Sequence, residues 1–201
     1  MPEPTHRATM LTWQGHDAPH LESVRVLQNG DRRLRASGRV VSTLGDQGAY
    51  TASYDLLVDE TGTVRRLLLR TTTADAERQI LLSHAVEGED SFWLVDLGHG
   101  EGEQRTDFGG AVDVDVQYCA LFNSLPVRRL GLHRQPGDHE LPVVFVSLPD
   151  LSVRQVQQHY RTVSIGETGS VITYQAGDFR ADVTFDTDAF VLDYPSLSRR
   201  I

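Results

Sequence analysis

CALFNSLPVRRLGL, residues 119–132, interrupts a pattern that runs through most of the sequence. From Leu21 onward, apolar and polar residues alternate with a period of two, which is typical of strands with one face on a core and one in water. Within residues 119–132 this alternation fails, and residues typical of helix ends take its place. Asn123 or Ser124 can cap a helix, and Pro126 suits a first turn, where its missing N–H costs nothing.

These signals predict one α-helix over residues 121–132, with Gly131 as its terminator. Apolar side chains surround much of the predicted helix: Leu121, Phe122, Leu125, Val127, Leu130 and Leu132. A helix that is apolar on more than one side has to be buried on more than one side. Since strands precede and follow this helix, we expect a sheet to wrap around it.

The alternating segments before the helix predict an antiparallel succession of strands over residues 21–28, 34–43, 49–58, 64–72, 78–86 and 92–97. Clusters of Gly, Asn, Asp and Glu separate most of them and are typical of tight turns. A glycine-rich acidic connection, residues 98–103, is predicted to be a mobile loop. A further strand, residues 111–116, is predicted between this loop and the helix.

After the helix the alternation returns and predicts strands over residues 141–148, 151–163, 171–175, 179–187 and 190–194. Residues 152–162 allow two interpretations. Val153, Val156 and Tyr160 would form a stripe on a helix, whereas the β-branched residues of this segment and the strands around it favour an extended chain. We favour the strand, and a helix over 152–162 stays open as the alternative.

The composition is that of one globular domain over residues 1–201, with 39% hydrophobic and 23% charged residues. A chain of this length buries about 70% of the surface that its extended form exposes. All 19 cationic residues are arginine, which excludes chemistry that needs a lysine amine. The net charge of -9 repels polyanions unless the arginines gather on one face, so we expect no nucleic-acid partner.

Cys119 is the single cysteine, so one copy of the chain cannot form an internal disulfide, and a reducing compartment suits it. No window of the sequence approaches 18 consecutive apolar residues, and we therefore expect no membrane span. The first 13 residues lack the basic and then apolar pattern of a secretion signal. We expect a cytoplasmic protein.

Asp113 and Asp115 are candidates for catalysis because strand alternation places both on one face. Carboxylates two residues apart on a strand lie roughly 6 to 7 Å apart, within the range in which an acid and a base act on a glycosidic bond. A solvated strand face, or ion pairs with Arg128 and Arg129, is the commoner explanation of such a pattern.

Two other patterns give weaker support for a binding site. The glycines of residues 98–102 could cradle a phosphate, but Glu101 would repel it and no strand–helix–strand unit surrounds them. His16 and His20 have the spacing of a zinc-binding helix, but Pro19 lies between them. We predict no bound metal and no cofactor.

Arg128 and Arg129 adjoin the predicted buried helix, so they have to pair with carboxylates or contact an anionic or sugar ligand. Pairing of these arginines with carboxylates of the protein itself is the commoner of these outcomes. Tyr194 lies beside Pro195 at the end of a predicted strand, where an aromatic ring can form the floor of a cavity or pack in the core.

Two stretches together resemble the bacterial "putative glycolipid-binding" family: DVDV (113–116) leading into FNSLPVRRL (122–130), and the ending VLDYP (191–195). Supporting matches are Trp13, Glu22-Ser23, Tyr54-Asp55-Leu56, Pro149-Asp150-Leu151, Gln158 and Tyr160. The resemblance covers nearly the whole chain. It implies a spiral β-roll, a many-stranded antiparallel sheet wrapped around a single α-helix, and it implies a homodimer. It carries over no catalytic residue, because fold alone does not establish function.

The leading hypothesis is a non-enzymatic protein that binds a glycolipid or another amphiphile in an apolar groove of its curled sheet. Asn123, Arg128, Arg129 and Asp115 would contact the polar head, and Tyr194 would line the cavity. The first alternative is a hydrolase of a sugar-containing substrate that uses Asp113 and Asp115. The second is a structural dimer whose helix fills the roll, which predicts no ligand-sized pocket.

Overall fold

The structure is a computed structural model that describes residues 6–45, 48–88, 90–98 and 102–201. Most of these residues lie in strands: β1 His6–Gly15, β2 His20–Asn29, β3 Arg33–Ser42, β4 Tyr50–Val58, β5 Val64–Thr72, β6 Glu77–Glu87, β7 Asp90–Asp96, β8 Gln104–Thr106, β9 Asp113–Val116, β10 Asp138–Val146, β11 Val153–Gly166, β12 Gly169–Ala176, β13 Phe179–Phe185, β14 Val191–Tyr194 and β15 Ser198–Arg200. One α-helix, α1 Ala120–Leu130, and a 3₁₀ turn, Phe108–Gly110, complete the described elements. The prediction of a mostly β protein with a single α-helix is confirmed.

All fifteen described strands belong to one sheet, in the order β8-β7-β6-β5-β4-β3-β2-β1-β15-β14-β13-β12-β11-β10-β9. Neighbouring strands are antiparallel except for β9 and β10, which pair in parallel from Asp113–Val143 to Val116–Val146. The sheet is not closed into a barrel, because β8 and β9 are its two ends. It curls around α1, and the spiral β-roll is confirmed.

β9 shows how the spiral is built. It ends the sheet, yet all four of its side chains are buried, so this edge is rolled into the interior rather than left in water. The expectation of a solvated face for Asp113 and Asp115 is therefore wrong: these residues are 0% and 6% exposed. Strand alternation cannot reveal this, because it orders side chains by face without showing what covers each face.

β1 joins the two halves of the sheet, since it pairs with β2 on one side and β15 on the other. Trp13 of β1 lies opposite Arg200, and its indole N–H donates to the carbonyl oxygen of Val191 at 2.9 Å. No strand is predicted for β1 or for the short β8 and β15. Exposed Met10 weakens the apolar alternation of β1, and three-residue strands show no periodicity.

Residues 152–162, for which the sequence allows a helix or a strand, lie almost wholly in a strand, because β11 pairs with β10 and β12 along most of its length. The helix prediction for residues 121–132 is confirmed, with observed bounds of Ala120 and Leu130, and Gly131 ends it in the left-handed conformation, with φ 71°. The predicted cap is wrong, because Cys119 rather than Asn123 or Ser124 occupies the cap position and Pro126 lies inside the helix. Of the predicted mobile loop, residues 99–101 lie outside the described residues.

Gly38 leaves the space that the Tyr54 ring occupies beneath α1. The two residues are direct partners on β3 and β4, and a Cβ atom on Gly38 would lie 2.1 Å from the Tyr54 ring. Tyr54 is 1% exposed, and its ring contacts that of Phe122 on α1 edge to face at 5.0 Å. A glycine is therefore needed at this position to admit the ring that supports the helix.

We expect Gly38→Ala to lower the free energy of unfolding by about 3 kcal/mol, because the added methyl group forces Tyr54 out of its contact with Phe122. Chemical denaturation followed by circular dichroism measures this. Gly166→Ala is the matched control, since a Cβ there would lie at an ordinary 3.7 Å from the carbonyl oxygen of Gly169. Equal stability of the two variants would contradict the role assigned to Gly38.

Candidate ligand-binding cleft

A cleft of about 750 Å³ lies beside the first turns of α1, between α1 and the strands of the second half of the sheet. β9 and the turn after it contribute Asp115, Val116, Gln117, Tyr118 and Cys119, α1 contributes Asn123, and the later strands and turns contribute Phe145, Arg154, Gln155, Val156, Gln157, Gln158, Tyr174, Ala176, Gly177, Phe179, Tyr194, Ser196 and Leu197. Its volume lies within the range of small-molecule sites, about 300 to 1,000 Å³.

Four aromatic rings contact one another edge to face or at a tilt where β11, β12, β13 and β14 run side by side, and three of them, Tyr174, Phe179 and Tyr194, line the cleft. Tyr174 is the central ring, with centroid distances of 5.4 Å to Tyr160, 6.1 Å to Phe179 and 6.0 Å to Tyr194. Phe179 is 47% exposed and forms the outer end of this aromatic wall, while the tyrosines are buried. Such a wall offers flat apolar faces together with phenol groups that form hydrogen bonds.

A chain of buried hydrogen bonds lies beside the aromatic wall. The Gln158 amide donates to Asp115 Oδ2 at 2.6 Å and approaches the Tyr174 hydroxyl at 3.0 Å. The Tyr160 hydroxyl donates to Gln158 Oε1 at 3.0 Å and accepts from the Asn123 amide at 3.3 Å. The chain therefore connects α1 to three strands and holds the Asp115 carboxyl in a fixed position.

Burial raises the pKa of Asp115 to about 7, against the opposing effect of the hydrogen bonds from Gln158 and Tyr174. Burial also raises the pKa values of Tyr174 and Tyr194, and the nearby Asp115 carboxylate adds to both shifts. The tyrosines consequently stay protonated as hydrogen-bond donors, and Asp115 changes its charge close to neutral pH. Arg154, whose guanidinium lies 4.7 Å from the centre of the Phe145 ring, also brings a positive charge to the lining of the cleft.

Two residues of the cleft have left-handed backbones although neither is a glycine: Tyr118 has φ 65° and Ser196 has φ 66°. Such conformations cost about 1 kcal/mol or more each and persist only where the surrounding structure imposes them. Both residues follow the ends of strands that enter the cleft. The surrounding structure therefore holds the backbone of these two turns in a fixed conformation beside the cleft.

Glu22 of β2 fixes the end of the helix that borders the cleft. Its Oε2 atom accepts from the backbone N–H of Ala120 at 2.6 Å, and its Oε1 atom accepts from the Tyr54 hydroxyl at 2.6 Å. Cys119 makes no side-chain capping bond, so the carboxylate of a distant strand satisfies the first helical turn. This explains why α1 begins at Ala120, four residues before the start of a helix capped by Asn123 and five before that of one capped by Ser124.

Asp113 holds the other end of the helix. Its Oδ2 atom lies 2.5 Å from Nη2 of Arg129, and the Asp113 side chain is fully buried. Arg128, on the same turn, donates to the carbonyl oxygens of Asp188 and of Asp31, the latter at 2.7 Å. Of the two ion pairs predicted for the aspartates, the structure contains the one between Asp113 and Arg129.

The structure brings together three of the five predicted ligand-binding residues: Asp115, Asn123 and Tyr194 all line the cleft. Arg128 lies in a separate small hollow with Asp31 and Asp188, and Arg129 is turned towards Asp113. These two arginines are not among the residues that line the cleft.

Sequence reasoning misses Tyr174 and Phe179 altogether and notes Gln158 only as a match to a family pattern. The alternation of β12 and β13 places Tyr174 and Phe179 on known faces, but nothing local shows that these faces meet Tyr194 across the sheet. Within the described residues, no group of three or more His, Cys, Asp or Glu is placed to hold a metal ion. No helix among them has the length and apolarity needed to cross a membrane.

Residues 10–200 match the family described as "putative glycolipid-binding". The chain belongs to this family. Its fold is also similar to that in a crystal structure of a DUF1089 family protein from Pseudomonas aeruginosa, with a TM-score of 0.71 and 22% identity over 94% of this chain and 95% of the other. No curated protein matches the sequence. For this member of the putative glycolipid-binding family, the matched region includes the whole cleft and both anchors of α1.

The buried Glu22 makes stability depend on pH. Burial raises its pKa from 4.5 in the reference state to about 7 in the folded protein, so folding favours the protonated form. Its contribution to stability is complete below about pH 4.5 and is lost as the pH rises through about 7. Glu22→Gln removes this titrating carboxyl and should reduce the decline in stability between these pH values by on the order of 3 kcal/mol, while the buried Asp115, whose pKa is also raised to about 7, keeps a decline of its own.

Glu22→Ala removes the same titrating carboxyl but also leaves the Tyr54 hydroxyl and the helix N-terminus without an acceptor in the core, so it should be about 3 kcal/mol less stable than Glu22→Gln at every pH. Urea denaturation across the pH range distinguishes the two variants. Glu140→Gln, at an exposed position of β10, is the control and should leave the profile unchanged. A Glu22→Gln profile as steep as that of the wild type would argue against a buried titrating cap.

Proposed function

We propose that the cleft binds an amphipathic ligand with a sugar-containing head, and that the protein acts as a non-enzymatic glycolipid-binding protein. The observation that carries this proposal is the meeting of the aromatic wall with the hydrogen-bond chain of Asp115, Gln158 and Asn123 in one cleft. Sugars present C–H faces that pack on aromatic rings and hydroxyl groups that bond to carboxylates and amides. The family description points to the same ligand class.

The polar head is assigned to the inner part of the cleft, where Asp115, Asn123 and Tyr194 lie. The ionised Asp115 carboxylate accepts from sugar hydroxyls, and the Tyr194 ring gives the head a flat surface. The apolar part of the ligand is assigned to Val116, Phe145, Val156, Ala176 and Leu197, with exposed Phe179 at the mouth. Burial of this apolar surface, at about 25 cal/mol per Å², supplies affinity, and the few polar groups set orientation.

In this proposal, Arg128 and Arg129 hold α1 in position and do not contact the ligand head. Arg129 compensates a buried carboxylate, and Arg128 binds backbone carbonyls of two turns. Both residues therefore hold the helix that carries Asn123. Removal of either would expose an uncompensated buried group, so its effect on binding would follow from lost structure.

The hydrolase alternative keeps Asp115 but loses its partner, since Asp113 is paired with Arg129 and does not line the cleft. The alternative of a structural dimer predicts a roll filled by its helix, whereas a cleft of about 750 Å³ adjoins α1. Homodimerisation, which the family resemblance implies, and a cytoplasmic location remain proposals alongside the binding function.

Dodecyl maltoside and dodecyl phosphocholine have equal alkyl chains and different heads, so calorimetric titration with both isolates the contribution of a sugar. We expect Asp115→Asn to weaken maltoside binding about tenfold, since one charge-assisted hydrogen bond is lost, and to leave phosphocholine binding unchanged. Asp138→Asn, at an exposed position of β10 outside the cleft, is the matched control.

The wild-type affinity for the maltoside should rise between about pH 6 and pH 8, because the Asp115 carboxyl ionises near pH 7 and its anion is the better acceptor. The Asp115→Asn variant should show no such rise. Absence of maltoside binding, or equal loss of both ligands in the variant, would refute a sugar-binding cleft. Release of reducing sugar from aryl glycosides by the wild type, abolished by Asp115→Asn, would favour the hydrolase instead.

A further inference from the structure

Six arginines lie on the outer side of the first half of the sheet. The strands β2 to β5 are adjacent in the sheet, and three of them carry these arginines: Arg25 on β2, Arg33, Arg35 and Arg39 on β3, and Arg66 and Arg70 on β5. We call the outward-facing residues of β2 to β5 the arginine face. Strand spacings make this patch roughly 15 Å across the strands and 20 Å along them.

The arginine face is strongly positive in a protein whose net charge is -9. One acidic residue, Asp55 of β4, projects from the same side of these four strands. Among the residues that the structure describes, none of the six arginines forms an ion pair: the observed pairs of arginine involve residues 7, 65, 105, 129, 134 and 200. The strand register places neighbouring arginines on this face about 7 to 10 Å apart, close to one Debye length at physiological salt, so their charges act together.

Apolar side chains are interleaved with the arginines in direct register. Leu57 lies between Arg35 and Arg66 across β3, β4 and β5, and Leu27 lies beside Arg35 on the other side. Leu21 and Val41, opposite one another at one end of the patch, are 43% and 60% exposed. No aromatic residue projects outward from β2 to β5.

We propose that the arginine face docks the protein on the surface of an anionic phospholipid bilayer. Arginines bind phosphate groups through paired N–H donors, and the leucine and valine side chains between them enter the interface below the heads. A single-stranded nucleic acid would call for aromatic rings on which bases stack, which this face does not present. A second copy of the chain related by a two-fold axis would bring like charges together.

Binding to sucrose-loaded vesicles of equal parts phosphatidylglycerol and phosphatidylcholine, measured by co-sedimentation, tests this proposal with the full chain. We expect binding that falls steeply with added salt and no binding to pure phosphatidylcholine vesicles. Each arginine near an anionic surface contributes about fivefold in partitioning, so Arg35→Gln with Arg66→Gln should weaken binding about 25-fold.

The matched control is Arg161→Gln with Arg180→Gln, which removes two exposed arginines from the second half of the sheet. It should bind as the wild type does, and circular dichroism checks that both variants are folded. Absence of binding to the anionic vesicles, or equal loss in the two variants, would overturn the proposal. One further outcome would overturn the proposal: the protein binds a single-stranded RNA more tightly than the vesicles, and Arg35→Gln with Arg66→Gln abolishes that binding. The arginine face would then be assigned to nucleic acid.

These vesicles contain no glycolipid, and the cleft lies in the other half of the sheet. Failure of vesicle binding would therefore leave the maltoside titration informative, and failure of the titration would leave the arginine face intact.

Discussion

A carboxylate in the core determines where the helix of this protein begins. Glu22 reaches from β2 to the backbone N–H of Ala120 and also accepts from Tyr54, which in turn lies over Gly38. Without this acceptor, the first turn of α1 would leave buried N–H groups unsatisfied, at a cost of about 1 to 3 kcal/mol for each group. The sheet can therefore close around the helix only because one of its own strands completes the helix terminus.

The cleft depends on this arrangement. Tyr118 and Cys119, which line it, immediately precede the capped turn, and Asn123 projects from the first turns of the helix. At the opposite end, Asp113 and Arg129 tie α1 to β9, the strand that also carries Asp115. Two buried carboxylates on β9 thus have separate tasks. Asp113 is neutralised by Arg129 and holds the helix, whereas Asp115 accepts hydrogen bonds only from neutral donors and faces the cleft.

Much of the fold follows from the sequence. Period-two alternation predicts most strands, and the failure of that alternation in residues 119–132 locates the helix within two residues at each end. The start of the helix could not be predicted from local cap residues, because its acceptor lies 98 residues away at Glu22. Asp115, Asn123 and Tyr194 were accessible from pattern and resemblance, whereas Tyr174 and Phe179 required knowledge of which strands meet across the roll.

The helix cap and the cleft are also linked electrostatically. Burial is the main reason that the pKa of Glu22 is raised, and the charge of Asp115 contributes a further small rise. A ligand that donates hydrogen bonds to the Asp115 carboxylate would hold it in its charged form and lower its pKa. That fixed charge would in turn favour the protonated form of Glu22, a change at the N-terminus of the helix that bears Asn123. A ligand bound at the polar lining of the cleft would thereby alter proton binding at the anchor of the helix.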